Sequence, residues 1–192
     1  MKNLYELEQA LSQRKAKTRM LRRFMTRSSV ATVLRDQAGE LQVLLIKRAH
    51  KEGDRWSGHI AFPGGREQQE DKNIRETAIR ETSEEIGLGL SVDNYIGRMS
   101  DVMTLAHGTR KPMVVSPYAF KLEGDPDFII NHEVDQVIWL PVSFLADKRN
   151  RESMLWEKKG MSIKLPCYFY GEHRIWGLTL KMLDELVFDI LK

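Results

Sequence analysis

Residues 80–88 read Arg-Glu-Thr-Ser-Glu-Glu-Ile-Gly-Leu, and the three acids in this stretch organise the interpretation of the whole chain. Positions i, i+3 and i+4 lie on one side of an α-helix, so the carboxylates of Glu81, Glu84 and Glu85 should converge. Like charges at this spacing repel by roughly 0.2–0.5 kcal/mol per pair, and the helix end marked by Gly87 also disfavours acids. A divalent cation that offsets the charges explains the arrangement; a solvated acidic helix face is the alternative.

The same helix has a recognisable beginning at Asn73. Its side chain can cap the first turn, and Glu76 stands where a capping box places the acid that bonds back to the cap. Glu81 and Glu84 point away from the predicted core side and Glu85 borders it, so we expect the acids at the rim of a cleft. The stripe predicted to face the core consists of Ile74, Ala78, Thr82 and Ile86.

Two glycines precede the helix in the stretch Phe62-Pro63-Gly64-Gly65. Glycine lets the backbone approach a ligand or metal closely. An apolar strand, a Gly-Gly loop, a capped helix and an acidic helix end together form a compact unit for phosphate and metal. Mg²⁺ suits it, because this hard cation takes carboxylate oxygens and often binds substrate phosphates as well.

This arrangement resembles the signature of the Nudix hydrolases, G-x5-E-x7-R-E-U-x-E-E-x-G-U, where U is aliphatic. Gly65 opens the motif, and the run from Arg80 to Leu88 closes it. Thr82 replaces the aliphatic residue, and the intermediate acid is Asp71, followed by eight residues before Arg80.

The longer spacing is similar to the coenzyme A diphosphatase branch of the family, whose usual form is G-x5-D-x8-R-E. The segments 44–48, 58–65 and 175–179 also resemble that branch. Two features depart from it: the segment 48–58 lacks the expected Arg-x-His pattern, and Gln68 stands where an acid is expected.

The resemblance implies a Nudix-type α/β/α sandwich with a mixed β-sheet. It also implies hydrolysis of the diphosphate of CoA or acyl-CoA to 3′,5′-ADP and a phosphopantetheine, with Mg²⁺, or Mn²⁺ as a substitute, held by Glu81, Glu84 and Glu85. Two alternatives stay open. One is the same chemistry on another nucleoside diphosphate derivative, such as ADP-ribose, NADH or a dinucleoside polyphosphate; the other is a nucleotide-binding domain without catalysis.

Further residues have both a functional and a structural interpretation. Arg80 is predicted to orient Glu81 or Glu84, or else to screen the acidic surface. Arg48 and Arg66 could hold phosphates or be ordinary surface arginines, and a carbonyl of Gly64 or Gly65 is a plausible additional metal ligand under the resemblance.

The proton acceptor is left open between Glu84, Glu85 and a residue in a loop that the sequence does not place; Glu133 is a further candidate, but as a strand-start residue it is interpreted as structural. Asp71 could support the metal cluster but is interpreted as a loop acid, and His59 is interpreted as a structural group in preference to a base. Trp56 and Trp176 could stack an adenine, but isolated tryptophans usually belong to the core.

The whole chain of 192 residues is within the range of a single domain, and we predict one Nudix domain over 1–192. The net charge of +3 is too small to indicate nucleic acid, and no apolar run approaches the roughly 20 residues that cross a bilayer. A single cysteine, Cys167, fits a reducing cytoplasm and is interpreted as packing. We therefore expect a cytoplasmic protein that binds a small molecule, with no nucleic acid or membrane partner, and a homodimer on the family's precedent.

Residues 1–27 are predicted to form a helical, basic extension, with a helix over 5–11. The basic part, 14–27, is interpreted as a solvated connector, although an arm for nucleic acid or an acidic membrane is an alternative; aromatic residues are sparse there. A last helix is predicted over 178–191. Strands are predicted at 28–34, 41–47, 95–99, 112–121, 134–139 and 162–170.

Overall fold

The structure is a computed structural model, and it describes residues 3–54, 56–106, 111–158 and 161–192. The helices are α1 (Leu4–Gln13), α2 (Ile74–Ile86), α3 (Val142–Ala146) and α4 (Gly177–Asp184), and a π-helical segment, Glu185–Ile190, continues α4. The strands are β1 (Thr26–Gln37), β2 (Glu40–Arg48), β3 (Ile60–Ala61), β4 (Gly64–Arg66), β5 (Tyr95–Arg98), β6 (Val102–Leu105), β7 (Pro112–Lys121), β8 (Val134–Pro141), β9 (Arg151–Lys158), β10 (Met161–Tyr170) and β11 (His173–Trp176).

Eight of these strands form one mixed sheet, whose central path runs β3-β2-β1-β7-β5. β1 and β7 are parallel to each other, whereas β2, β4, β5, β6 and β8 join their neighbours antiparallel. β9, β10 and β11 make a separate antiparallel sheet. The mixed sheet expected from the sequence is therefore confirmed.

Helices cover both faces of the large sheet, because alternate residues along its strands point to opposite sides. Ala31 and Val33 of β1 pack in a core cluster with Ile74, Ala78 and Ile86 of α2. On the other face, Val30 and Leu34 belong to a second cluster. That cluster also contains Leu7 and Leu11 of α1, Val142 and Leu145 of α3, and Leu180 and Leu183 of α4. The result is the predicted α/β/α sandwich.

On one of its sides, β1 pairs with β2 along one half of its length and with β4 along the other. The cleft described below lies where the partner changes. Residues 34–37 pair with β2, whereas residues 28–30 pair with β4 on the same side. The N–H of Ala31 donates to the carbonyl of Pro63 at 2.9 Å, where the chain passes from one arrangement to the other. The Gly64-Gly65 segment is thus held flat against the first half of β1.

The predicted strands and helices are present, most of them longer than predicted by one to three residues at an end. Cys167 is fully buried, as its interpretation as packing required. Several elements were missed: the short strands β3, β4, β6 and β11, the helix α3, and the eight-residue strand β9. β9 follows a 3₁₀ turn directly and lies at the edge of its sheet, where it pairs with β10.

The N-terminal helix is part of the fold and not a detached arm. Leu7 and Leu11 are buried, and Leu11 sits so close to Gly97 of β5 that a side chain at position 97 would overlap it. The segment that follows is irregular, with a turn at 20–21 and a 3₁₀ helix at Arg22–Phe24. Asp101 fixes it, donating its N–H to the carbonyl of Lys17 at 2.9 Å and accepting the N–H of Arg19 at 2.9 Å. No helix in the described ranges is long and apolar enough to cross a membrane.

Candidate active site

A cleft of about 1070 Å³ opens at the point where β1 changes its neighbour. Its walls are residues 48–54 after β2, the β4 segment 64–66, the C-terminal half of α2, and the loop 131–133. Seven of the eight residues proposed from the sequence line it; Arg80 lies behind them. They are Arg48, Gly64, Gly65, Arg66, Glu81, Glu84 and Glu85.

Helix α2, which carries the acids, begins and ends where the sequence predicts. The Asn73 side chain accepts the N–H groups of Arg75 at 3.1 Å and Glu76 at 3.2 Å, and Gly87 ends the helix with a φ of 70°. Only half of the predicted capping box forms, since the structure gives no return bond from Glu76 to the cap among the residues it describes.

Glu85 lies deeper than the sequence predicted. It is only 2% exposed, because α2 packs closely on β1 and β4, and one of its oxygens (Oε2) accepts the N–H of Gly64 at 2.9 Å. Burial raises the pKa of its carboxyl to about 8, and the nearby charges of Glu81 and Glu133 add to the rise. The Gly64 N–H and Arg48 oppose this rise without cancelling it. The expectation that this acid would lie at the rim is therefore wrong for Glu85.

Glu81 occupies the space beside Gly65. A methyl group at position 65 would overlap the Glu81 carboxylate, so the absence of a side chain there makes room for the acid. Burial raises the pKa of Glu81, against the opposing effect of Arg80. The backbone carbonyl of Gly65 accepts the hydroxyl of Ser28 at 2.6 Å, which fixes β4 against β1.

Arg80 holds four groups around the acidic helix end. Its Nε and Nη2 donate to the two oxygens of Asp71 at 2.9 and 3.2 Å, and Nη1 donates to Glu81 at 2.9 Å and Glu84 at 3.1 Å. Nη2 also donates to the carbonyl of Arg66 at 3.2 Å. Of the two interpretations of Arg80, the geometry supports the orienting one.

Asp71 is more than a loop acid, which corrects its interpretation from the sequence. Besides Arg80 it accepts the hydroxyl of Thr77 at 2.8 Å and the N–H of Gln68 at 2.9 Å. These bonds, led by the one from Arg80, lower the pKa of Asp71 to about 2. It therefore remains charged and fixes the Arg80 side chain that contacts the cleft acids.

The donor set of the cleft fits a hard divalent cation. Three carboxylates share one helix end. Burial disfavours the charged forms of Glu81 and Glu85 and so raises their pKa values, and a bound cation would favour the charged forms. Within the described ranges no three His, Cys, Asp or Glu side chains form a ready metal cage. Glu81 and Glu84 instead face Arg80, and Glu85 faces the Gly64 N–H, so side-chain rotation must accompany metal binding.

Basic side chains also line the cleft and suit phosphate groups. Arg48 donates to Asp54 at 3.0 Å, while its Nε is buried with no hydrogen-bond partner in the described part of the protein. The exposed Arg66 lines the cleft from β4. His50 and Lys51 also line the cleft and were missed, because they follow β2 in a loop whose path the sequence does not predict.

The remaining candidates divide between this cleft and a separate, half-buried contact. Glu133 and Trp56 line the cleft, whereas His59 and Trp176 are not among its lining residues. The rings of His59 and Trp176 pack against each other with centroids 5.2 Å apart. This contact agrees with the structural interpretation of His59.

Comparison with known proteins gives a consistent result. A family model described as NUDIX domain matches residues 25–156. The human mitochondrial coenzyme A diphosphatase NUDT8 is 30% identical over 177 residues, which cover 91% of this chain and 73% of that protein. The peroxisomal coenzyme A diphosphatase ndx-8 of Caenorhabditis elegans is 34% identical over 125 residues, 62% of this chain and 51% of that protein.

Among solved structures, a MutT/nudix family protein from Enterococcus faecalis covers 97% of this chain with a TM-score of 0.58; 67% of that chain is matched, at 17% identity. At this identity the likeness concerns the fold alone.

Proposed function

The chain belongs to the Nudix family and is a Nudix pyrophosphatase, and from this premise we propose that it hydrolyses the diphosphate of CoA or acyl-CoA. The products would be 3′,5′-ADP and phosphopantetheine or its acyl derivative. The main support is the pairing of Asp71 with Arg80 across the longer motif spacing, since this spacing characterises the CoA diphosphatase branch. The names of the similar human and nematode proteins support the same substrate.

We propose Mg²⁺, with Mn²⁺ as a substitute, as the cation, held by Glu81, Glu84 and Glu85. Nudix hydrolases generally need divalent metal ions, and carboxylate oxygens are the ligands that Mg²⁺ prefers. Such an ion offsets the charge of the diphosphate and lowers the pKa of a bound water. The protein contributes the rest: Arg80 holds Glu81 and Glu84, and the Gly64 N–H orients Glu85.

Arg48 and Arg66, which line the cleft from β2 and β4, would bind the substrate phosphates. Guanidinium groups suit this role because they can donate paired hydrogen bonds to phosphate oxygens. Three acids that line the cleft, Glu84, Glu85 and Glu133, are the candidates for accepting the proton of the attacking water. Glu133 is the one that cation binding does not need.

A substrate panel tests this proposal. The purified protein is incubated with Mg²⁺ and CoA, acetyl-CoA, ADP-ribose, NADH or a dinucleoside polyphosphate, and kcat/KM is measured for each. We expect CoA or its acyl derivative to be cleaved with the highest kcat/KM. Preferred cleavage of another compound would reject the CoA assignment and support the second candidate, hydrolysis of a different nucleoside diphosphate derivative. That candidate is favoured by Gln68, which lines the cleft where the branch has an acid.

Metal use is tested separately with Glu84→Gln. We expect this variant to lose most of its activity towards the best substrate and to need more Mg²⁺ for half-maximal rate. Unchanged turnover would show that Glu84 does not hold the cation. Glu52→Gln, another exposed acid of the same cleft, serves as the matched control and should leave both values unchanged.

We further propose that residues 1–192 act as one domain, because α1 packs in the same core cluster as α4. The homodimer and the cytoplasmic location stay predictions. The similar human and nematode proteins are named as mitochondrial and peroxisomal.

A further inference from the structure

The segment 14–25, called the N-terminal strip here, exposes large apolar side chains beside basic ones. Met20 is 92% exposed, Leu21 59% and Phe24 73%. Three apolar side chains exposed within five residues have an unfavourable free energy in water, since apolar surface is more stable when it is buried. Such an exposed patch typically marks an interaction site. The basic residues of the strip are Arg14, Lys15, Lys17, Arg19, Arg22 and Arg23.

Most of these cations have no acid to neutralise them. Arg14 bonds Glu185 at 2.7 Å, and Arg22 lies 3.8 Å from Asp101. In the part of the chain that the structure describes, Lys15, Lys17 and Arg19 form no ion pair and are exposed. The guanidinium of Arg23 stacks on Phe24, 4.8 Å from the ring centre, so charge and apolar surface are presented together.

A second cleft of about 830 Å³ extends this positive surface onto other elements. Its walls include Lys17 and Arg19 of the N-terminal strip, together with Lys148 after α3 and Lys181 of α4. Among the described residues, Lys148 and Lys181 have no ion pair, whereas Arg151 is neutralised by Asp184 at 2.6 Å. Four acids also line this cleft, and each pairs with another cation: Asp101 with Arg98, Asp184 with Arg151, Glu185 with Arg14 and Asp189 with Lys192. Four cations from three separate parts of the chain are therefore left facing one opening.

The N-terminal strip is held in place by the fold. Asp101, which is buried, bonds the backbone of Lys17 and Arg19 and forms an ion pair with Arg98. At its other end the strip leads into β1, whose Ser28 lines the catalytic cleft. The exposed apolar groups are thus presented by a segment that the fold holds at both ends.

We propose that the N-terminal strip docks this protein on the surface of an anionic lipid bilayer, with Met20, Leu21 and Phe24 inserted between the headgroups. Basic residues flanking exposed apolar ones match both parts of such an interface, the anionic headgroups and the acyl boundary beneath them. Single-stranded nucleic acid fits less well, because it would require stacking aromatics and the strip has only one. Docking revises the expectation of a solvated connector, and it goes beyond the proposed hydrolysis.

Co-sedimentation of the full-length protein with vesicles tests the proposal. Vesicles of phosphatidylcholine alone are compared with vesicles that also contain phosphatidylserine. We expect binding only to the second kind, and weaker binding at high salt, because salt screens the charges. Removing charge in Lys15→Gln/Lys17→Gln/Arg19→Gln should weaken binding by about fivefold for each cation removed.

The apolar contribution is tested with Met20→Ser/Leu21→Ser/Phe24→Ser, which keeps every cation. We expect binding to phosphatidylserine vesicles to fall by roughly tenfold or more, because the inserted surface is lost. Val92→Ser/Leu155→Ser removes two exposed apolar side chains elsewhere and Lys72→Gln/Lys164→Gln removes two exposed charges elsewhere; both controls should bind like the wild type.

The outcomes separate membrane docking from its alternatives and from the proposed function. Equal binding to both kinds of vesicle, or an unchanged serine variant, would overturn the proposal. Binding to single-stranded RNA in preference to vesicles would assign the strip to nucleic acid instead. Each variant is checked for an unchanged melting temperature and unchanged hydrolysis of the best soluble substrate, so a failure of docking says nothing against the catalytic assignment.

Discussion

The two ends of helix α2 differ in how well their side chains match the helix dipole and the free backbone groups. At its beginning, the Asn73 side chain satisfies two free backbone N–H groups, and an acid, Glu76, lies in the first turn, where the helix dipole favours it. The last turn contains no basic residue and carries Glu84 and Glu85 against the dipole. The first end stabilises the fold and the second end reduces its stability. The comparison indicates that the second end is kept for its chemistry.

The same contrast separates two acids of the site. Asp71 receives bonds from Arg80, Thr77 and Gln68, and its pKa falls to about 2. Glu85 is buried with one N–H donor, and its pKa rises to about 8. Asp71 is therefore charged and fully hydrogen-bonded at neutral pH, whereas Glu85 keeps its proton up to about pH 8 unless a cation binds. Substitutions at these positions should therefore have opposite effects on stability.

The largest effect is expected for Glu85→Gln, which should reduce kcat/KM by about a thousandfold with Mg²⁺ present. Loss of a few kcal/mol of transition-state stabilisation corresponds to this factor. The variant removes one proposed ligand while its amide keeps the shape of the side chain. Steady-state kinetics over a range of Mg²⁺ concentrations measures the change, and a loss below tenfold would contradict the metal assignment.

The same substitution should stabilise the protein when no divalent cation is bound. The pKa of Glu85 is raised in the folded state from 4.5 to about 8, so between these values the unfolded chain releases a proton that the folded protein keeps. Stability of the wild type therefore falls as pH rises from about 5 to 8, by an amount on the order of a few kcal/mol. Denaturant unfolding in EDTA should show this fall in the wild type and a flatter profile in Glu85→Gln.

The next largest effects are expected at the adjacent residues Gly64 and Gly65, where alanine should act on stability in one case and on activity in the other. In Gly64→Ala the new methyl group would overlap the backbone of Ser29 and Val30, at a φ of 152° that only glycine adopts readily. We expect a loss of about 2–4 kcal/mol in the free energy of unfolding. In Gly65→Ala the atoms nearest to the methyl group are those of the movable Glu81 carboxylate.

Gly65→Ala should therefore lose activity more than stability. We expect kcat/KM to fall by about tenfold to a hundredfold, because Glu81 is displaced, with a change in unfolding free energy of about 1 kcal/mol or less. Thermal melting and kinetics on both variants measure the difference. Equal destabilisation of the two would show that Gly65 is required by the backbone and not by the acid.

Much of the fold could be predicted because its long elements carry clear periodicity. β1, β2 and β7 are apolar enough to be recognised, and α2 has a cap, a buried stripe and a terminal glycine. The segment 64–66 could not be predicted as a strand, since glycines disfavour one and only pairing with β1 makes it one. β9 was missed because its charged and apolar residues do not alternate, and pairing with β10 forms it.

Most residues that line the cleft could be predicted from the sequence, but the burial of each side chain could not. Helical spacing placed Glu81, Glu84 and Glu85 together, and the two glycines were recognised from their position before the helix. Arg48 and Arg66 were proposed because they flank the site in sequence. The burial of Glu85 depends on how closely β4 lies against β1, and the bond of Asp71 to Arg80 depends on the loop between β4 and α2. Both are tertiary contacts, which the spacing of residues along one helix does not contain.

A smaller effect is expected for Asp71→Asn, which removes the charged partner of Arg80. With Arg80 less firmly held, kcat/KM should fall by about tenfold to a hundredfold. The variant should also be less stable by about 1–2 kcal/mol at neutral pH.

The pH dependence of this loss has a definite sign. The folded pKa of Asp71 is lowered from 3.8 to about 2, so its contribution is complete above pH 3.8 and disappears as pH falls through about 2. Unfolding measured from pH 2 to pH 7 should show the wild type and Asp71→Asn converging at the acid end. A constant difference over that range would contradict the ion pair as the source of stability.

The smallest effect is expected at the stabilising end of the helix. Asn73→Ala leaves the N–H groups of Arg75 and Glu76 without their side-chain acceptor, which should cost about 1 kcal/mol of unfolding free energy. Because the cap lies two turns from the cleft acids, kcat/KM should stay within about twofold of the wild type. Asn73→Asp is the matched variant: it keeps the acceptor and adds a charge that the helix dipole favours, so its stability should equal or exceed that of the wild type. If Asn73→Ala reduced activity as strongly as Asp71→Asn, the two ends of α2 would not be separable, and the acids would depend on the whole helix being fixed in place.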